Sequence, residues 1–599
     1  MIRILINQLG YDSEDTKKAI LQATNGERPA EDTFTIIEEL TEEVVYQGTL
    51  IPADPVARWN QGDFYVMRFS DFQPGKGQNF GHFYKIRVRT DAGMAESSPF
   101  QIYGNVLEYT TLSSVMYYFK SQRVTGEYEK IDRCLKFKGP REGTVDLHGG
   151  WNDATGDIGV HLTHQTVSGF FNVQQGNLAV FTFYKLIELI EQSSWQYYAI
   201  FNRRILDEAA YGANWLMRRR APSGSFFKAG PLRLPDAYEL SEVTRKCGFE
   251  YKNTIGADHR PIPQEQWAIT DESYEASLRG GGGYAVAALA MAARYPYASQ
   301  EYSSQEYLDA ARESFLYLEE NNEKYTKDGK WNLMDEYCAL EACVELYRTS
   351  REFGFMRRAR TYADKIIGHY IGKTERSGYL SHDETDRPFF SPAEEGAPVM
   401  ALLHYAEIEK EAPRRKRAID TAEKVMRFLL EMTNRVSNPF GYAREYTQDK
   451  EGRRKEQFFF PHNSDDAPWW QGENARILSL AAAARLLMGV TKDAELAGEL
   501  QGFADDQVAW VLGLNPYDSC MMINRGRHNP EYFFRYQYDF IGVPCGIVNG
   551  ITSAFDDDEG IEYIASPLDD PQVDDNWRWA EEWLPHAIWY LHAVGLKKR

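Results

Sequence analysis

The spacing of apolar residues in this 599-residue chain changes near residue 104, and this change limits the fold more than any other feature. Before it, short runs of alternating apolar and polar residues occupy 2–6, 18–22, 34–37, 64–69 and 83–88. A repeat of two residues is typical of strands with one buried face, and such a series predicts a β-sandwich. After it, the repeat becomes the 3.6 residues of an amphipathic helix. We therefore predict a β-sandwich domain at residues 1–103 and a mainly α-helical domain at residues 104–599.

The helical part contains eleven amphipathic stretches, and we expect a twelfth helix near 108–122. The eleven are 177–192, 195–219, 281–296, 304–322, 333–350, 355–371, 397–411, 414–436, 472–490, 493–514 and 585–595. Consecutive stretches predict antiparallel pairs, and six pairs closed in a ring form an (α/α)6 toroid. Periodicity alone fits an open helical solenoid equally well. The length of this part and its lack of a sharp repeat favour the closed ring.

Charge and composition exclude several classes of partner. The chain carries 67 basic and 88 acidic residues, a net charge of −21, so it lacks the basic surface that nucleic acids or anionic membranes require. No apolar run approaches the ~18 residues of a membrane-spanning helix. The N-terminus shows no apolar core of a signal peptide. The six cysteines are dispersed, as is typical of buried reduced thiols. These features predict a cytoplasmic protein.

The loops between the helices are long and rich in Trp, Asp, His and Gly; they are 140–165, 222–275, 375–396, 437–472 and 515–583. The most informative one places Asp153 and Asp157 four residues apart, with glycines on both sides and Trp151 beside them. Glycines allow a tight loop in which both carboxylates point into one space. Two carboxylates around one water raise each other's proton affinity, so one of them can act as a general base. The same residue types also suit a calcium loop or an ordinary turn.

A second acidic segment precedes the last predicted helix. Glu581 and Glu582 lie just before Pro585, which is well placed at a helix start, and among three tryptophans that include Trp579. Apolar aromatic surroundings raise the pKa of a carboxyl group, which a general acid at neutral pH requires. The alternative is a pair of exposed acids that the helix dipole stabilises.

Other loop residues suit a carbohydrate ligand. Trp469 and Trp470 offer flat faces for sugar rings, with His462 nearby for hydroxyl groups, although two tryptophans also commonly dock a helix start. Arg525 and His528 follow an Asn-Pro turn whose chemistry does not require them. The predicted substrate-binding set is Trp151, His462, Trp469, Trp470, Arg525, His528, Trp579 and Glu582.

Three motifs resemble those of glycoside hydrolase family 9. Residues 7–11, NQLGY, resemble the opening of the immunoglobulin-like module that precedes many of these catalytic domains. Residues 149–157, GGWNDATGD, resemble the family's GGW-x-DAGD loop with one extra residue between the acids. Residues 512–516, LGLNP, followed by Arg525, resemble the later family signature. The resemblance covers nearly the whole chain.

The resemblance implies an inverting β-glycosidase with an (α/α)6 toroid behind an immunoglobulin-like β-sandwich. It makes Asp157 the general base and Asp153 its partner in holding the water. A glutamate near the C-terminus is the general acid; Glu581, directly before the last helix, is the first choice, and the doublet leaves Glu582 open. It requires no cofactor, and a structural calcium ion stays open. The expected partner is a β-linked oligosaccharide.

Departures from the family pattern indicate its exo-acting branch. The extra residue in the aspartate loop, the missing signal peptide and the sequence WWQGEN at 469–474 look like enzymes that attack cello-oligosaccharides or glucosamine oligomers. An intracellular enzyme has no access to polymeric cellulose. Three alternatives stay open: an endo-acting β-1,4-glucanase, a non-catalytic oligosaccharide-binding protein, and a toroid enzyme of another kind such as a polysaccharide lyase.

Overall fold

The computed structural model describes the chain except for residues 1, 75–80, 138–140, 156–158, 164–171, 193–197, 229–273, 327, 373–375, 465–469, 534–541, 571, 574 and 599. Its N-terminal part is a β-sandwich. The strands are β1 (Ile2–Leu5), β2 (Tyr11–Asp12), β3 (Lys18–Ala23), β4 (Thr33–Glu38), β5 (Val44–Pro52), β6 (Asp63–Arg68), β7 (Tyr84–Thr90), β8 (Gly93–Glu96) and β9 (Ile102–Tyr103).

Strand β5 joins the two layers of this sandwich. Seven strands follow the order β1-β3-β6-β5-β4-β7-β8, and all of these pairs are antiparallel. The short strands β2 and β9 pair in parallel. Apolar side chains from both layers, such as Leu21 and Ile86, pack between the layers. The alternation of apolar residues thus places one face of each central strand in a shared core.

Twelve helices follow in the described chain. They are α1 (Ser113–Gln122), α2 (Gly176–Gln192), α3 (Tyr198–Arg218), α4 (Gly283–Arg294), α5 (Ser304–Tyr325), α6 (Leu333–Ser350), α7 (Phe353–Gly368), α8 (Ala397–Ile408), α9 (Ala412–Asn434), α10 (Asn474–Met488), α11 (Ala494–Val511) and α12 (Leu584–Gly595). Three short hairpins and five helical turns lie between or beside these helices. The turns are Glu108–Leu112, Glu127–Asp132, Leu278–Gly282, Trp577–Ala580 and Leu596–Lys598.

The even-numbered helices form a closed inner ring. Each contacts the next one around the ring, and α12 contacts α2, which closes it. The odd-numbered helices pack outside as their partners. The predicted (α/α)6 toroid behind a β-sandwich is therefore confirmed, and the open solenoid is excluded. Every inner helix follows an outer one in antiparallel fashion, so the six inner N-termini meet at one end of the ring.

Aromatic and charged contacts join the sandwich to the toroid. Trp59 packs against Phe458 with ring centroids 4.9 Å apart, and against Trp510 at 6.1 Å. The Lys597 ammonium, near the end of the toroid, pairs with the carboxyl groups of both Asp12 and Asp15 in the sandwich. The sandwich is thus fixed to the toroid through buried surface.

Two further sequence-based expectations can be compared with the structure. None of the described helices combines the length and apolarity needed to cross a membrane. Four cysteines are buried as predicted, at 338, 343, 520 and 545, but Cys134 is exposed because it follows a short surface helix. Cys247 lies outside the described residues.

Candidate active site

Two segments that are distant in the sequence lie side by side at the N-terminal end of the inner ring. Ala154 forms an antiparallel bridge with Trp583. The amide of Thr155 donates to the carbonyl of Glu582 at 3.0 Å. These last two residues are 427 positions apart, so the fold brings the glycine-flanked aspartate loop against the tryptophan-rich turn before α12.

Two glycines allow the aspartate loop to reach this position. Gly149 and Gly150 have φ values of +105° and +75°, which L side chains rarely adopt. A Cβ on Gly150 would also lie 2.7 Å from the Trp215 ring, so only glycine fits there. The loop passes close to α3 for this reason. Asp157, with its neighbours 156 and 158, lies outside the described residues.

Asp153 is buried and held from two sides. The whole residue is only 2% exposed. Oδ2 accepts a hydrogen bond from the Gln175 amide at 3.1 Å, and the Nδ1 of His161 lies 3.2 Å from the same oxygen. Oδ1 has no hydrogen-bond partner among the described residues. The carboxyl group thus keeps one buried acceptor that these residues leave unused.

Glu582 is the more deeply buried member of the glutamate doublet, at 1% exposure. Burial raises the pKa of its carboxyl group to about 8, and hydrogen bonds from the Thr155 hydroxyl and the backbone at Val543 oppose this shift. The hydroxyl donates to Oε2 at 3.0 Å. Gly546 packs against the other side of the group, where a Cβ would lie 2.5 Å from the carboxyl carbon. At neutral pH the protonated form of this acid predominates.

Tyr118 on α1 links the acids of both segments. Its buried phenol has a raised pKa, first because of burial and then because of the charges of Glu582, Asp153 and Glu581. The charges of acids from both segments therefore act on one buried hydroxyl group. Glu581 is only half-buried, and its carbonyl accepts a hydrogen bond from the Asn549 amide at 2.8 Å. The backbone contacts thus place the two acidic segments side by side, and the predicted roles of their acids stay predictions.

A third buried carboxyl group, which the sequence did not indicate, lies on the ring axis. Glu394, just before α8, accepts hydrogen bonds from the Tyr337 hydroxyl at 2.7 Å and the Gln174 amide at 3.2 Å. Helices α2 and α8 stand opposite each other in the ring, so this contact crosses its centre. Burial raises the pKa of Glu394 to about 8. Glu394, Tyr337 and Gln174 thus form a hydrogen-bonded group at the centre of the ring, which we call the floor of the site.

A buried ion-pair network continues this floor towards α10. The Arg476 guanidinium, 0% exposed, lies 3.0 Å from Glu473 and 3.2 Å from Glu395. Burial raises the pKa of Glu473 to about 7, against the lowering effect of Arg476. The inner helix N-termini carry partial positive charge, which stabilises these acids. No local motif marks them; the ring geometry brings them together.

The predicted aromatic platforms occupy less open positions than expected. The Trp470 ring is stacked by His462 at 3.9 Å on one face and covered by the Arg578 guanidinium at 4.3 Å. Its two faces are therefore occupied by protein. His462 also contacts the Ser553 hydroxyl at 2.8 Å and stays half-exposed. Trp469 lies outside the described residues.

Trp151 and Trp579 pack inside the protein rather than facing a ligand. Trp151 is 1% exposed, and its indole nitrogen donates to Glu208 at 2.7 Å. Trp579 is 0% exposed and packs edge-on against Phe555. The prediction that these two rings contact substrate therefore needs correction. Burying a large apolar ring against the helices is more favourable in free energy than leaving it exposed to water.

Arg525 and His528 separate in the structure. Arg525 donates to the Ser114 hydroxyl at 2.7 Å and to the Cys545 sulfur at 3.3 Å, beside the segment that packs on Glu582. His528 is exposed and lies 2.9 Å from the carbonyl of Asp518, at the loop that faces the sandwich domain. The structure therefore does not bring His528 to the acids. Within the described residues, no group of three His, Cys, Asp or Glu side chains could hold a metal ion.

Comparison with known families agrees with this architecture. The sequence model "Glycosyl hydrolase family 9" matches residues 109–537. The model "Cellulase N-terminal ig-like domain" matches residues 2–92. A search of curated proteins found no match.

Solved structures share the fold over the full length of the chain. A metagenome-derived family 9 endoglucanase is 18% identical with a TM-score of 0.63, covering 99% of this chain and 98% of that one. A family 9 glycoside hydrolase from Bacteroides ovatus is 16% identical with a TM-score of 0.63 and the same coverage, 99% and 98%. A single mutant of a thermostable endoglucanase from Alicyclobacillus acidocaldarius is 16% identical with a TM-score of 0.60, covering 100% of both chains. At these low sequence identities, the similarities show a shared fold.

Proposed function

The chain belongs to glycosyl hydrolase family 9, and from this premise we propose that it removes sugars from one end of short β-1,4-linked oligosaccharides, with inversion of the anomeric carbon. The broader statement, that it is a glycoside hydrolase that cleaves β-glycosidic bonds, follows from family membership. Family membership also implies that catalysis needs no cofactor.

One observation carries the proposed mechanism: a buried acid that is protonated at neutral pH lies beside the aspartate loop. Glu582 has this character, because its pKa is raised to about 8 and Thr155 of the loop contacts its carboxyl group. Inverting glycosidases need one carboxylic acid and one carboxylate on opposite sides of the scissile bond. The pair of segments supplies both types of group.

In the proposed reaction, Glu582 gives its proton to the glycosidic oxygen as the bond from that oxygen to the anomeric carbon breaks. A water attacks the same carbon from the opposite face and loses a proton to Asp157, with Asp153 holding the water. The carboxyl groups of acid and base then stand roughly 6.5–9.5 Å apart, which leaves room for that water. The role of Asp157 rests on the sequence alone.

Glu582 is preferred here to Glu581 as the acid. In the paired segments, side chains alternate in direction, so Glu582 and Thr155, which are opposite each other, lie on one face. Glu581 precedes this pair and is half-buried. The choice of Glu581 from the sequence stays a prediction, which variants that replace each glutamate by glutamine test.

A second candidate function is endo-acting hydrolysis of a β-1,4-glucan. It is favoured by the two solved structures that are described as endoglucanases and share the fold over nearly their entire lengths. The exo-acting proposal is supported instead by the extra loop residue and the sequence WWQGEN, which departs from the cellulase pattern. The acidic surroundings also suit glucosamine oligomers, whose amines carry positive charge.

A product analysis separates these functions. The full chain is incubated with β-1,4-linked glucose and glucosamine oligomers of two to six units and, separately, with a soluble cellulose derivative. Exo action releases single sugars or disaccharides while the viscosity of the polymer stays nearly constant. A rapid fall in viscosity with few new chain ends would support endo action. Tight binding of oligomers without any hydrolysis would support the non-catalytic alternative and contradict the proposal.

A further inference from the structure

Thr155 makes two direct contacts with Glu582. Its amide donates to the Glu582 carbonyl at 3.0 Å, and its hydroxyl donates to Oε2 of the carboxyl group, also at 3.0 Å. The bridge between Ala154 and Trp583 fixes the register of these two segments. Residues that face each other in an antiparallel pair direct their side chains to the same side. The backbone pairing thus sets the position of the hydroxyl relative to the carboxyl group.

The carboxyl group has little freedom to turn by itself. Gly546 lies so close that a Cβ there would be 2.5 Å from Oε2, and a Cβ on Gly542 would be 3.2 Å from Oε1. The residue is 1% exposed, so solvent does not compete for these oxygens. Close packing therefore holds the plane of the group, and its two oxygens differ because Thr155 donates to Oε2 whereas Oε1 has no hydrogen-bond partner among the described residues.

This distinction matters for an acid that delivers a proton. A neutral carboxylic acid carries one hydroxyl oxygen and one carbonyl oxygen, and the carbonyl oxygen is the better acceptor. Because the Thr155 hydroxyl donates to Oε2, it favours the tautomer whose proton sits on Oε1. Its backbone contact keeps the same residue in place when the carboxyl group changes its charge.

Thr155 also lies at the point where the loop departs from the family pattern. The segment between Asp153 and Asp157 contains one residue more than GGW-x-DAGD, and Thr155 belongs to that lengthened segment. Asp153 itself is anchored elsewhere, by Gln175. The longer segment thus brings a hydroxyl donor to the acid from the loop that carries the proposed base.

Resting on the proposed function, we propose that Thr155 is a positioning residue that orients the Glu582 carboxyl group so that Oε1 delivers the proton to the leaving glycosidic oxygen. Thr155 does not touch the reacting atoms. It acts through Glu582 and couples the position of the acid to the aspartate loop.

The test compares Thr155→Val, which keeps the shape but lacks the hydroxyl, with Thr155→Ser, which keeps the hydroxyl. We measure kcat and KM on a β-linked disaccharide from pH 4 to 10, and the midpoint of thermal unfolding. T155V should lose about 10- to 100-fold in kcat, the scale of a lost hydrogen bond to the carboxylate that forms as the proton is delivered, with KM nearly unchanged. Its alkaline limb should move to higher pH, because the lost bond favoured the ionised acid. T155S should restore both.

Three outcomes decide the matter. If T155V and wild type share one pH profile and one kcat, the proposal is overturned. If T155S behaves like T155V, the methyl packing of threonine matters rather than its hydroxyl, and the proposal is overturned as well. If wild type hydrolyses no β-glycoside, the proposed function fails and this inference fails with it. Should T155V not fold, Thr155→Ala takes its place in the comparison.

Discussion

At the scale of single residues, burial separates two neighbouring glutamates that the sequence presents as equivalent. Glu582 is 1% exposed and contacts Thr155, whereas Glu581 is half-buried. Burial in an apolar setting disfavours the charged form of a carboxyl group. Burial therefore favours the protonated form of Glu582 at neutral pH, while the charges of both glutamates act on Tyr118.

Replacing each glutamate by its amide tests this difference. Glu582→Gln removes the proton but keeps the size, so kcat/KM on a natural disaccharide should fall at least ~10²-fold. Glu581→Gln is the matched control and should lose less than ~10-fold. On a 2,4-dinitrophenyl glycoside, whose leaving group needs no proton, E582Q should recover most of its rate. A larger loss in E581Q than in E582Q would instead assign the acid to Glu581.

The pH dependence of the reaction provides a second test at this scale. The acid works only when protonated, so a pKa of about 8 for Glu582 predicts that kcat/KM stays high through neutral pH and falls above about pH 8. An ordinary glutamate would lose its proton near pH 4.5 and lower the rate at a much more acidic pH. The measurement is a pH–rate profile at constant ionic strength. An alkaline limb below pH 6 contradicts the assignment.

At the scale of elements, a short antiparallel contact near Gly546 forms the protein surface against which the Glu582 carboxyl group packs. Met522 and Ile547 form a bridge, and Gly546 next to it faces the Glu582 carboxyl group. Its backbone has no positive φ, so only space, not conformation, requires glycine there. This segment belongs to the long loop before α12. Gly546 therefore packs against the Glu582 carboxyl group although it lies in none of the sequence motifs.

Gly546→Ala should therefore lower kcat by about 10²-fold and also lower the free energy of unfolding by about 1–3 kcal/mol, the usual cost of overpacking a buried site. The added Cβ would lie 2.5 Å from the carboxyl carbon, so the acid must move. Gly498→Ala on α11 is the matched control, because a Cβ there meets nothing within 4 Å. Alanine in a helix interior should raise stability by about 0.5–1 kcal/mol and leave activity unchanged. Normal activity in G546A would show that the contact does not hold the acid.

The elements themselves were largely predictable. All twelve helices lie where the sequence placed them, although the outer helices bury one apolar face and the inner helices are buried on nearly every side. Strands β5 and β8 were not predicted. Most side chains of β5 are exposed or half-exposed, and β8 has four residues without a buried one, so neither shows the alternation that identifies a strand. The proposed boundary after residue 103 stays a prediction.

At the scale of the whole molecule, the two domains share a buried charge cluster. Lys597, near the C-terminus, pairs with Asp12 and Asp15 of the sandwich, and its side chain is only 8% exposed. Removing the cation leaves the Asp12 and Asp15 carboxyl groups without its charge. Breaking a buried pair in this way costs more than the pair contributes in net stability.

Lys597→Met should lower the free energy of unfolding by about 3–5 kcal/mol, seen as an earlier thermal transition. Lys416→Met is the control: its ammonium pairs with Asp420 on the surface, where the lysine is 73% exposed, and such pairs contribute about 0–1 kcal/mol. Both variants remove one positive charge, so net charge cannot explain a difference. Equal midpoints for the two variants would show that the interdomain cluster does not stabilise the fold.

Periodicity alone could not predict closure of the ring, which the length of the helical part and the family resemblance favoured, and nothing in the sequence indicated the buried acids at its centre. Periodicity identifies each helix but contains no information on whether α12 returns to α2. Glu394 stands in the sequence SPAEEGAP, which indicates only a loop; its depth arises because six inner helices meet around it. The approach of the aspartate loop to the glutamates was predictable only through the family resemblance. The structure shows that approach by direct hydrogen bonds.

The stereochemistry of hydrolysis tests the central claim most directly, because it depends on an acid and a base acting from opposite faces of one sugar. Fresh digestion of a β-linked disaccharide is followed by proton NMR before the released sugar mutarotates. The account predicts that the α-anomer appears first, in wild type but not in Asp157→Asn or Glu582→Gln. First appearance of the β-anomer would contradict single displacement between the aspartate loop and the glutamates.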